Sequence, residues 1–259
     1  MKGLEMPVRT ETMPARLVPP TDHGYVILAA TVDSRLPFLP SSRRKAALLS
    51  ALSEDIAQVE QVHGVTQALL FDARLVAPGM GHDLLRARAI TPARFDVLVL
   101  IETVDPETAV TLKGGDSYRR LKDRLESEAA RIYELAACNV RRIADVDHDQ
   151  SSVFLFNFFY ADDPRRLLRV WEDTAGWFVA KTALPDSTVF EPLPGERDDY
   201  GIINHASWPN FRTFLPHLIL RPSFRRFVLA TFESNGVAAQ PILFRRVMPQ
   251  QAVVRAAVR

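Results

Sequence analysis

The stretch Tyr200-Gly-Ile-Ile-Asn-His-Ala-Ser-Trp208 combines residue types and spacing that could do chemistry. Read as a strand, it sends Tyr200, Ile202, Asn204, Ala206 and Trp208 to one face. Ile203, His205 and Ser207 go to the other. A carboxamide can donate to a developing oxyanion and accept a hydrogen bond at the same time. Asn204, with an aromatic residue at each end of its face, could therefore hold an electron-rich ring, and Trp208 would supply a flat apolar wall. Asn157 is a second polar residue, set inside the apolar run Val153–Phe159. A buried amide must find hydrogen-bond partners, so both asparagines need an explanation. The plainer alternative is a pair of satisfied core amides with a tryptophan packed nearby.

Other titratable groups are less organised. His23, His63, His82, His148, His205 and His217 are scattered, and no two form a close ligand pair in sequence, so no metal is expected. Asp96 and Glu102 share the alternate set of Leu98 and Leu100, which could serve acid–base chemistry inside a barrel. The plainer reading is that they lie near the strand ends and reach water. Gly114-Gly115-Asp116 lacks the Lys and Ser/Thr of a phosphate loop and reads as a helix start. There is no His-Glu-x-x-His and no Gly-x-Ser-x-Gly. The single cysteine, Cys138, excludes an internal disulfide and reads as a structural thiol.

The elements that must position these residues follow from periodicity. Tyr25–Val32, Val65–Val76 and Phe95–Val104 read as strands. A helix capped by Ser41-Ser42 carries Leu48, Leu52, Ile56 and Val59 at helical spacing. The apolar stripe Tyr118, Leu121, Leu125, Ala129, Ile132 and Leu135 predicts one long helix, with Val140–Val146 as the fourth strand. The order βαββαβ then repeats. Ser152–Tyr160 is a strand, and Asp163-Pro164 opens a helix lined by Leu167, Trp171, Ala175 and Phe178. Thr188–Leu193 and Tyr200–Trp208 are strands. A helical segment broken at Pro216 and Pro222 follows, then Pro241–Val247 as the last strand. The strand pairs 65–76 with 95–104 and 188–193 with 200–208 have no helix between them, which argues against a doubly wound parallel sheet. Both faces of the strand at 25–32 are apolar, so a second sheet must cover the face the helices leave bare. The expected fold is α+β: two tandem ferredoxin-like units, 23–148 and 149–248, closed against each other as an intrachain dimeric α+β barrel. Residues 1–22 read as an extended arm and 249–259 as a tail.

On these residues the sequence resembles a family. Asn204-His-Ala-Ser-Trp208, followed by Phe214, His217, Pro222 and Phe224, is similar to the third strand and second helix of antibiotic-biosynthesis-monooxygenase domains of the dimeric α+β barrel superfamily. The resemblance covers roughly residues 150–247. It implies cofactor-independent oxidation of an anthrone-like or other polyketide-type aromatic molecule, with Asn204 and Trp208 bearing on substrate activation. His205 or His217 would carry the proton. Asn157, Tyr160, Tyr200 and Phe214 would surround the ring. Relatives that degrade haem use an Asn on the first strand, which Asn157 matches. Their helical Trp falls on His217 and their iron ligand near Phe227, so this chain departs from the haem pattern. A non-enzymatic small-molecule or haem-binding protein, with His148 or His217 as ligand, and a polyketide cyclase or isomerase using His205, are the competing readings on the same fold. The first unit carries no such motif and would be the structural partner.

Bulk composition agrees with an ordinary globular chain. Of 259 residues, 47% are hydrophobic and 24% charged, and 32 basic against 31 acidic residues leave a net charge of +1. That balance gives no electrostatic reason to expect nucleic acid or an anionic membrane as partner. No apolar run reaches the length of a membrane span, and residues 1–22 carry no signal-like apolar core, so the expectation is a cytoplasmic protein, monomer or homodimer, with a small aromatic molecule as ligand.

Overall fold

Eight strands, all paired antiparallel, close on themselves in the computed structural model, which describes residues 13–33, 42–196, 199–212, 214, 216 and 222–248. The strands are β1 (Gly24–Thr31), β2 (Val65–Val76), β3 (Val97–Thr103), β4 (Arg131–Ala144), β5 (Val153–Tyr160), β6 (Asp186–Pro192), β7 (Ile202–Trp208) and β8 (Ala238–Val247). Around the barrel they run β1-β3-β2-β8-β5-β7-β6-β4. Within each half the spatial order is fourth, first, third, second, and the halves meet at β2–β8 and β4–β6. This order is compatible with tandem ferredoxin-like units sharing one barrel. Closure leaves no edge strand unpaired, which removes the usual aggregation hazard of an open sheet.

Alternation along each strand divides two cores. The barrel interior takes Ile27, Phe71, Leu98, Leu135, Phe156 and Phe244 among others, a predominantly aromatic filling. The outer faces are covered by helices. In the first half α1 (Arg43–Val59) and α4 (Asp116–Glu128) lie over Val26, Leu28, Val99 and Ile101. In the second half α5 (Arg165–Thr182), a π-helical turn Phe224–Leu229 and α6 (Ala230–Ser234) lie over Phe159, Val189, Ile202 and Ala239. A one-residue slip of any strand would exchange its interior set for its outer set, so the register is strongly held.

Several boundaries differ from those the periodicity predicts. The stripe ending at Ile132 and Leu135 is not one helix. Ala129 is already extended, at φ −96° and ψ 139°, and β4 begins at Arg131. The segment Ile132–Ala137 satisfies both a helical and an alternating pattern. Its pairing with β1 and the inward packing of Tyr133, Leu135 and Ala137 decide for the strand. Two short helices, α2 (His82–Ala87) and α3 (Pro106–Leu112), lie in stretches for which the periodicity predicts no element. The second has a clear start signal, an Asp105 carboxylate accepting from Thr108 N at 2.7 Å with proline in the first turn. Ser42 caps α1, as expected, through Lys45 N.

The arm, in its described part, lies on the chain itself. Val18 bridges Arg142 on β4, and Thr21 N donates to Asn139 Oδ1 at 3.0 Å. Met13 O crosses α5 at Gly176 so closely that a Cβ there would stand 2.2 Å from it. The tail at 249–259 lies outside the described residues. A buried ion cluster ties the halves together. Lys45 Nζ sits 2.8 Å from Asp72 Oδ1 and 3.0 Å from Asp96 Oδ2, and Arg245 Nη2 of β8 sits 3.1 Å from Asp72 Oδ2. Among the described residues no helix is long and apolar enough to cross a membrane.

Candidate functional site

Asn157 and Asn204 are direct partners across β5 and β7. Their neighbours Phe156, Phe158 and Ile203 fill the barrel, so both amides point outward, beneath α5. They are nearly buried, at 9% and 7% exposure. Cross-strand partners on one face hold their Cβ atoms about 5 Å apart, so the two amides form one polar spot in an apolar layer.

The helix above supplies what the strand pattern does not show. Leu167, Val170, Trp171 and Ala175 recur at helical spacing and turn α5 toward the sheet. A buried indole needs an acceptor for its N–H. Trp171 Nε1 donates to Asn204 Oδ1 at 2.9 Å, and Ser187 Oγ of β6 donates to the same oxygen at 2.6 Å. An indole nitrogen only donates, so the atom facing it must be the amide oxygen. That fixes the orientation of the Asn204 side chain and leaves its Nδ2 without a protein acceptor among the described residues. Asn157 Oδ1 is buried and has no donor. The spot thus offers one unmatched N–H and one unmatched C=O on adjacent residues. The buried Asn157 oxygen, left without a donor, costs about 1–3 kcal/mol, which a ligand that donates to it would recover.

The other residues singled out in the sequence are distributed differently. Trp208 does share the Asn204 face, about 13 Å further along the strand. Its Nε1 donates to Thr182 Oγ1 at 3.2 Å, and its ring stacks on Phe214 with centroids 4.5 Å apart. Tyr200 does not share that face. β7 begins only at Ile202, and at Gly201 a Cβ would stand 2.5 Å from Leu167. The chain bends there, the alternation is not carried back, and Tyr200 enters the barrel, its hydroxyl donating to Thr91 O at 2.6 Å. The hydroxyl of Tyr160, at the end of β5, donates to Asp162, which is held by Arg88. His217 lies outside the described residues.

His205 faces the barrel interior, with the sheet between it and Asn204. Its ring stacks on Phe156 at 4.0 Å, and its Nε2 meets Nε2 of His148 at 3.0 Å. Nδ1 stands 3.1 Å from Leu155 O. A carbonyl only accepts, so Nδ1 carries the His205 proton, Nε2 accepts, and His148 donates from Nε2. Both rings are neutral. Burial among aromatic rings drives His205 well below its ordinary range. Burial, then the nearby Arg246, lowers His148 to about 4. His148 is therefore committed to the interior and does not serve the outward amide spot as an iron ligand. Asp96 and Glu102 also separate. Asp96 accepts from Val32 N and Asp33 N at one end of β3, while Glu102 pairs with His23 at the other. A groove of about 510 Å³ lined by His63, Asp105, Glu107 and Asp116 belongs to the first half and shares no residue with the amide pair.

Trp171 and Ser187 are the residues that sequence reading missed. Trp171 stood only as one member of an apolar stripe. The available signal was that a buried tryptophan on α5 faces strands whose outward residues include few acceptors, Asn157 and Asn204 among them.

No family model matches this chain, and no curated protein does. Solved structures do. An anthrone oxidase-like protein superposes with a TM-score of 0.64 at 10% identity, over 93% of this chain and 100% of that one. A protein assigned as a monooxygenase from Fusobacterium nucleatum gives 0.54 at 8% identity, over 88% and 94%. A heme-binding protein from Thermus thermophilus gives 0.46 at 8% identity, over 92% and 96%. At these identities the likeness is one of fold: the chain has the α+β barrel architecture of the first two.

Proposed function

We propose that the second half, residues 149–248, oxidises an electron-rich aromatic or polyketide-type molecule with dioxygen and without a resident cofactor. Residues 23–148 act as the structural partner in a tandem pair of ferredoxin-like units. The observation that carries the reading is the buried amide pair, in which Asn204 offers an unmatched N–H beside an unmatched Asn157 oxygen. The structural likeness to an anthrone oxidase-like protein supports the kind of chemistry.

In this reading the substrate oxygen lies against Asn204 Nδ2, which stabilises the enolate or phenolate formed as a ring CH₂ group loses a proton. The carbanion-like carbon reduces dioxygen. One oxygen atom stays on that carbon as a carbonyl and the other leaves as water, so CH₂ and O₂ become C=O and H₂O. His205 faces the barrel interior, and the proton-carrying role falls to His217. Trp208 and Phe214 form the rigid far wall.

Asn204→Asp is the discriminating variant. A carboxylate still accepts from Trp171 and Ser187 but has no N–H to donate. Oxygen uptake over an anthrone panel should fall at least about 100-fold in this variant, with the folded state retained. Uptake equal to that of the parent chain would refute the proposal.

A further inference from the structure

Asn204 owes its direction to two residues outside the strand it sits on. Trp171 comes down from α5 and Ser187 across from β6, and both donate to Oδ1. Without them the amide could flip and present an oxygen beside Asn157 Oδ1, two acceptors together. With them in place, one member of the amide pair donates and the other accepts. A hydroxyl is the small group that answers both, since its hydrogen donates to Asn157 Oδ1 while its oxygen accepts from Asn204 Nδ2. A methyl ether leaves the Asn157 oxygen unmet and adds a methyl group against it.

We infer that Trp171 and Ser187 are positioning residues that set the amide pair to select a ring hydroxyl over its methyl ether. This rests on the site reading above and adds a specificity that the reading does not require. Trp171 is 5% exposed and Ser187 fully buried, so their hydrogen bonds to the amide oxygen are shielded from competing water.

The test is a fluorescence titration with 1-naphthol and 1-methoxynaphthalene, on the full chain and on Trp171→Phe and Ser187→Ala. The full chain should bind 1-naphthol at least about tenfold more tightly than the ether, as a site with a buried acceptor rejects an analogue that cannot donate. Trp171→Phe, which keeps a ring but loses the N–H, should narrow the ratio to about threefold or less. Asn157→Leu should abolish it. A merely structural role for Trp171 would weaken both probes alike and leave their ratio unchanged. Equal affinity for the two probes in the full chain, failure of both to bind, or an unchanged ratio in Trp171→Phe overturns the inference. If Asn204→Asp still abolishes oxygen uptake in those cases, the proposed function stands without this specificity. If the parent chain takes up no oxygen over the panel while the naphthol preference holds, the oxidation reading fails and the hydroxyl-selective site remains.

Discussion

Acid should loosen the barrel through the His148–His205 pair before it titrates most carboxylates. In the folded chain burial and Arg246 lower His148 from 6.5 to about 4. An unfolded chain would bind that proton at its ordinary pKa. Between pH 6.5 and 4 the folded state therefore binds fewer protons than the unfolded state, and stability falls with pH. The contribution is present in full above pH 6.5 and lost by about pH 4. A difference of some 2.5 units at about 1.36 kcal/mol per unit gives a loss of about 3 kcal/mol from His148. His205 adds to the loss in the same direction. Asp186 opposes it, because burial raises its pKa and the folded form takes up a proton more readily. A reference variant separates these terms. His148→Gln can still donate to His205 Nε2 but does not titrate. Urea unfolding of both proteins at about pH 7, 5.5 and 4 should show the parent losing about 3 kcal/mol more than the variant. Histidine NMR should show the His148 ring still neutral at about pH 5. Equal losses, or a His148 that titrates between about 6 and 7, would refute the buried neutral dyad.

Three further outcomes follow from other contacts. Asp72→Ala strips the buried ammonium of Lys45 of one carboxylate and frees Arg245, so urea unfolding should report a loss of about 3–5 kcal/mol, part of which Lys45→Met in the same chain restores. Gly176→Ala would ordinarily favour a helix interior by about 1 kcal/mol, but here its methyl meets Met13 O, so the arm should lift from α5 and limited proteolysis should cut within residues 13–22 far faster than in the parent. Trp208→Phe removes the donor to Thr182 and part of the stack on Phe214, so it should cost about 1–3 kcal/mol in unfolding while changing the 1-naphthol preference by less than about twofold.

Strand alternation carried most of what the sequence revealed. It separated Asn204 from His205 onto opposite faces and put Asn157 on a strand of the same half. It failed at Tyr200, where Gly201 ends the strand, and at Ile132–Ala137, where two periodicities fit and only pairing with β1 decides. The partners of the candidate site were hidden for a different reason. Trp171, Ser187 and Asn204 come from three elements, and no local pattern records that their polar atoms converge. His148 lies between β4 and β5, outside any periodic element, so its meeting with His205 is a product of closure alone.

Closure also sets an order of events during synthesis. β8 lies between β2 and β5, and β6 pairs with β4, so the first half cannot complete its sheet from its own strands. While the ribosome is still making residues 149–248, β2 and β4 have one side unpaired and the aromatic filling has no opposite wall. A nascent first half would thus present two sticky edges for the several seconds that about a hundred residues take to emerge. Yield in the cell should then depend less on the stability of the finished barrel than on how quickly β8 reaches its slot between β2 and β5.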